Sequence, residues 1–88
     1  MRVTIWDLDY YYAKDRRNCY NVDAMRISSF HKQSGDYVNF VRTEDDIRRP
    51  YDLYYIIKEK STTPNAPLDF YTNSAVRFWG KANKAHIT

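Results

Sequence analysis

Four short runs rich in β-branched and aromatic residues punctuate the chain, at residues 3–7, 37–41, 53–57 and 75–79. Each is about five residues long and alternates little, the pattern of strands covered on both faces of a parallel sheet. The run Leu53-Tyr54-Tyr55-Ile56-Ile57 is the most apolar and is predicted to be central. Between the first two runs the pattern changes period. From Val22 to Gln33 the apolar positions Ala24, Met25, Ile27, Phe30 and His31 recur at spacings of three and four, which predicts one helix with these residues on its inner face. Asn21 is placed to cap its first turn, and Ser34-Gly35 to close it, because glycine adopts the left-handed closing conformation without a side-chain penalty. Residues 13–20 read as a polar loop leaving the first strand.

After the second run, Thr43-Glu44-Asp45-Asp46 offers a cap followed by acids at the positive end of a helix. Pro50 limits that helix to one or two turns. Residues 58–67 are a proline-punctuated polar loop, residues 68–72 begin at most one helical turn, and residues 81–88 form a polar tail.

Strand, helix, glycine and strand within about 40 residues is the signature of a right-handed βαβ unit. The predicted fold is therefore α/β, a small, mostly parallel Rossmann-like or flavodoxin-like sheet with strand order 2-1-3-4, one main helix and short helical turns. One domain spans residues 1–80, with a flexible tail over 81–88. A parallel sheet needs helices on both faces, and this pattern supplies one full helix. The second face is thus expected to be buried against a partner, either a downstream domain of the same protein or a second copy in a homodimer.

Composition sharpens this reading. At 88 residues there is room for one modest core. Aromatic residues make up 17% of the chain, which gives a short sequence a large apolar area to bury and leaves some rings exposed. The net charge of +3 is spread along the chain without a block of like charges, so a dedicated nucleic-acid surface is not indicated. Tyr10-Tyr11-Tyr12 beside Lys14, Arg16 and Arg17 resembles a base-stacking platform, but tyrosines leaving a strand serve more often in packing. The single Cys19 rules out an internal disulfide and fits a reducing compartment. Neither a signal peptide nor an apolar run near the roughly 18 residues of a membrane span is visible, so a cytoplasmic, membrane-free setting is expected.

Candidate chemistry begins at the end of the first strand. Open parallel sheets place ligands beyond the carboxyl ends of their strands, where Asp7 and Asp9 stand two residues apart. In an extended chain that spacing puts both carboxylates on one face, able to hold Mg²⁺ or to divide into nucleophile and general acid. The stretch Val3 to Asp9 resembles the first motif of the haloacid dehalogenase phosphatases, an apolar strand ending in Asp-x-Asp. That resemblance implies phosphoryl transfer with Asp7 as nucleophile, Asp9 as acid/base and Thr43 as the phosphate-binding hydroxyl, though Tyr10 and Tyr11 replace the small residue and the Thr or Val of that motif.

A broader resemblance covers about two-thirds of the chain. Residues 3–7, the Gly35-Asp36 lead into 37–41, and Tyr51-Asp52 before 53–57 are laid out as in the N-terminal Rossmann-like, cobalamin-binding-like module of radical SAM proteins. It implies fold and context, with cobalamin as the associated cofactor. The Asp-x-His-x-x-Gly cobalt signature and the three-cysteine cluster motif do not occur here, so no catalytic residue and no resident cofactor carry over. His31 and His86 share no metal-ligand spacing with each other or with an acid. The glycine-rich turn that a dinucleotide needs after the first strand does not occur either.

These readings converge on a non-catalytic Rossmann-like module, the interaction or ligand-positioning part of a larger protein, with ligand-binding candidates Asp7, Asp9, Thr43, Lys58 and Gly80 along the strand ends. The alternatives are a Mg²⁺-dependent phosphoryl-transfer domain using Asp7 and Asp9, and a homodimeric interaction domain.

Overall fold

The computed structural model describes residues 1–13 and 21–81. Four strands, β1 (Arg2–Asp7), β2 (Tyr37–Phe40), β3 (Leu53–Ile57) and β4 (Val76–Trp79), form one sheet in the order β2-β1-β3-β4. All three pairings are parallel, with Ile5 beside Phe40 on β2 and Tyr55 on β3, and Ile57 beside Trp79 on β4. The fold is the α/β, parallel 2-1-3-4 arrangement expected from the pattern of apolar runs. The helices are α1 (Leu8–Tyr12), α2 (Val22–Gln33) and α3 (Glu44–Arg48), with a 3-10 helix at Leu68–Thr72.

The two faces of the sheet have separate cores. On one face Ile5 and Ile57 meet Ala24 of α2, with Ile27, Val38, Phe40 and Tyr55 around them. On the other, Trp6, Leu8, Ile56 and Val76 meet Val41 and Ala66, with Ile47 of α3 and Phe70 and Tyr71 of the 3-10 helix closing over them. Aromatic edges knit this second core: Trp6 lies edge-on to Tyr11 and to Phe70, each with ring centroids 5.6 Å apart.

Two local expectations are corrected. The chain does not stay extended through Asp9; it turns at once into α1, because the Asp7 carboxylate accepts from the Tyr10 N–H and caps that short helix. The inner face of α2 is Ala24, Ile27, Ser28 and His31, while Met25 and Phe30 point outward, 50% and 65% exposed. Seven residues make two turns, so 24, 27, 28 and 31 share one stripe and the neighbours 25 and 30 cannot join it. The predicted loop at residues 14–20 and tail at 82–88, with Lys14, Arg16, Arg17, Cys19 and His86, lie outside the described residues. No described helix is long and apolar enough to cross a membrane.

His31 fastens α2 to the sheet. Its Nδ1 lies 2.8 Å from Asp36 Oδ2 and its Nε2 lies 2.9 Å from the Tyr55 hydroxyl. The Met1 ammonium joins the same carboxylate from the other side at 3.0 Å. The bond to His31, and then that to the Met1 ammonium, hold the Asp36 carboxyl below its ordinary range.

Candidate functional site at the carboxyl ends of the strands

The carboxyl ends of β1, β3 and β4 meet at one side of the sheet, and Asp7, Asp9, Lys58 and Gly80 all stand there. They do different work. Because α1 starts at Leu8, Asp9 is a helical residue and swings away from Asp7 rather than lying on the same face of an extended strand. Its Oδ2 accepts from the Glu59 N–H at 2.7 Å, and its Oδ1 accepts from the Thr63 hydroxyl at 2.7 Å and the Lys60 N–H at 3.2 Å. Asp9 therefore clamps the loop that leaves β3, across some fifty positions of sequence.

Lys58 is buried, with Nζ donating to Asn65 Oδ1 at 2.6 Å. Its backbone N–H continues the ladder to the Trp79 carbonyl at 3.1 Å. Gly80 sits against it with φ +97°, and a Cβ there would overlap the Lys58 carbonyl, so only glycine fits this close approach. The Lys58 and Gly80 pair closes the end of β3 onto the end of β4. Thr43 stands apart from this group. It caps α3, its N–H and hydroxyl both donating to Asp46 Oδ2 at 3.1 and 3.3 Å. With the Arg42 N–H added at 3.0 Å, these bonds hold the Asp46 carboxyl below its ordinary range, the Arg42 N–H contributing most.

Asp7 is the member of the set that faces open space. It is half-buried, and burial pushes its carboxyl from 3.8 up to about 6; the charges of Asp9 and Glu59 push in the same direction, while N–H donation from Tyr10 and Asp9 pulls against it. Beside it lies a cavity of about 290 Å³ lined by Asp7, Tyr10, Asn21, Ala24, Met25, Phe40 and Arg42. The cavity opens on the α2 side of the sheet, between the ends of β1 and β2 and the first turn of α2.

Of its lining, sequence reasoning singled out Asp7 as a ligand residue and Asn21 as a helix cap. Arg42 was missed; its signal was a cation one residue past the second apolar run, at the strand end where ligands gather. Asn21 keeps its capping role, with Oδ1 accepting from the Ala24 N–H at 3.0 Å, and also lines the cavity. Among the described residues no three His, Cys, Asp or Glu side chains cluster in a way that would hold a metal ion.

A second surface lies on the same face of the sheet. α2 lies over β1 and β2 and reaches Tyr55 and Ile57 of β3, and among the described residues no helix lies over β4. There Tyr55 and the 46% exposed Trp79 border a groove with Asp23, Arg26, Ile27 and Phe30 of α2. No family model, curated protein or solved structure matches this chain.

Proposed function

We propose that this chain is a non-catalytic Rossmann-like module that works by docking a protein surface onto the β4 edge of its sheet. The observation that carries this reading is the groove at Trp79. A parallel sheet is stable when both faces are covered, and here, among the described residues, the 46% exposed Trp79 lies open on the side where a further layer would pack. Its rim carries both signs of charge, with Asp23 and Arg26 on α2, which suits an isologous contact with a second copy, acid to base and base to acid. A neighbouring domain of a larger protein would meet the same surface.

The role of Asp9 supports the non-catalytic half of the reading. Phosphoryl transfer by an Asp-x-Asp pair asks both carboxylates to face one phosphate and its Mg²⁺, whereas Asp9 holds three loop donors and Thr43 caps α3.

Light scattering and acrylamide quenching of tryptophan fluorescence, followed over a concentration series, test the docking. Trp6 is buried and Trp79 is not, so quenching reports Trp79. Self-association that shields Trp79, and that Trp79→Glu abolishes, is the expected result. A chain that remains monomeric with Trp79 open at every concentration removes the second copy as partner. Hydrolysis of p-nitrophenyl phosphate in Mg²⁺ that disappears in Asp7→Asn overturns the non-catalytic reading.

A further inference from the structure

The cavity beside Asp7 has the composition of a small-molecule site, and it is separate from the groove at Trp79. Its apolar lining is Ala24, Phe40 and, at the rim, the half-exposed Met25, while its polar groups are few: the Asp7 carboxyl, Tyr10, Asn21 and Arg42. Ligand pockets combine an apolar lining with a few placed polar groups and start near 300 Å³. At about 290 Å³ this one has room for a compound of amino-acid size.

From this arrangement we infer that the cavity binds a free α-amino acid with an apolar side chain, its ammonium on Asp7, its carboxylate on Arg42 and its side chain against Met25 and Phe40. Each wall has capacity for that assignment. A carboxylate offers about four acceptor positions, and Asp7 receives the backbone N–H groups of Tyr10 and Asp9, which leaves room for an ammonium. The charges that act on Asp7 are those of Asp9 on α1 and Glu59 beyond β3; Arg42 beyond β2 lines the same cavity, and α2 and its cap contribute the neutral Asn21, Ala24 and Met25. The two neighbouring acids make the Asp7 end attractive to a cation.

Arg42 supplies the opposite preference. Its backbone N–H is bonded to Asp46, and its guanidinium has the planar fork that matches a carboxylate. Asn21 has its Oδ1 engaged in capping, so its NH₂ is the group left to donate to the same carboxylate. Neither an amine nor an acid alone satisfies both ends of the cavity.

Isothermal titration of the whole chain with L-phenylalanine and L-leucine, alongside phenethylamine and 3-phenylpropionate, tests this. The amino acids are expected to bind at least about tenfold more tightly than either half-molecule, a difference of about 1.4 kcal/mol. Arg42→Gln and Asp7→Asn should each weaken amino-acid binding by a similar factor. Arg42 is exposed, so its substitution leaves the fold in place, and a circular dichroism spectrum checks Asp7→Asn. Affinity for the amino acids should also fall as pH drops below about 6, where Asp7 takes up a proton. Absence of heat with both amino acids at millimolar concentration overturns the proposal. So does 3-phenylpropionate binding as tightly as L-phenylalanine and more tightly still to Asp7→Asn, which would make the cavity a plain anion site.

Discussion

At the residue scale, Asp7 and Gly80 carry costs that can be measured. Asp7 is the carboxyl that the fold pushes up to about 6. Between about pH 4 and 6 the folded chain holds a proton on Asp7 that the unfolded chain has released. Stability therefore falls as pH rises through that window and levels off above it. For a half-exposed group, solvent screening reduces the effect to on the order of 1–2 kcal/mol. Asn at this position still accepts from the Tyr10 N–H, so Asp7→Asn should flatten the profile between pH 4 and 6 and leave the chain as stable as the parent, or more so, at neutral pH. Urea unfolding at a series of pH values reads this out.

Gly80 gives the opposite sign. With φ at +97° and the Lys58 carbonyl where a Cβ would go, Gly80→Ala should cost roughly 2–4 kcal/mol through strain and the parting of β3 from β4. Gly35, at φ +84° with nothing within 4 Å, should lose only about 1 kcal/mol as Ala. The contrast between the two, measured by denaturant midpoint, separates a crowded glycine from a merely left-handed one.

At the scale of elements, the sheet and the long helix were legible because their patterns are local. Residues 53–57 form one unbroken apolar run and residues 22–33 one period between a cap and a glycine, and both were placed with the boundaries the structure shows. α1 was not legible. Leu8–Tyr12 is too short to display a period, and its start depends on the Asp7 cap, which turns a stretch read as extended through Asp9 into a turn of helix. The divergence of Asp9 from Asp7 follows from that one event.

The partners of Asp9 were hidden for a different reason: they lie at residues 59–63, and no periodicity links positions so distant. Asp9→Ala should cost about 2–4 kcal/mol, since it leaves the partly buried Glu59 N–H without its charged acceptor. Asp9→Asn should recover part of that loss, and amide exchange should speed up at Glu59 and Lys60 before it does elsewhere. The attachment of α2 has a similar logic. Tyr55→Phe removes the hydroxyl partner of the buried His31 Nε2 and should lower stability by about 1–2 kcal/mol, read as a shift in the denaturant midpoint at constant slope.

For the whole molecule, the two faces of the sheet are unequally finished. α3 and the 3-10 helix close one face with short pieces and aromatic edges, while α2 covers the other as far as β3. The helix count led to the expectation that the face opposite α2 would need a partner, and that is corrected: α3 and the 3-10 helix close it, and the open part is the β4 edge of the face that α2 covers. The short pieces at residues 44–48 and 68–72 carry too little pattern to show that they cap a core. Trp79 is about half covered, so Trp79→Ser is expected to cost the isolated chain about 1–3 kcal/mol while improving solubility at high concentration, checked by thermal melts and turbidity.

The position of β1 in the sheet has a consequence for synthesis. Of the four strands of this sheet it is made before the others, and both of its neighbours come later, β2 at residue 37 and β3 at residue 53. At about 5–20 residues per second, roughly 2–10 seconds separate β1 from the completion of β3. During that interval Val3, Ile5 and Trp6, all buried in the finished fold, have no ladder to join. The nascent chain thus passes through a stage in which its central strand is the part most open to chaperones and to other growing chains.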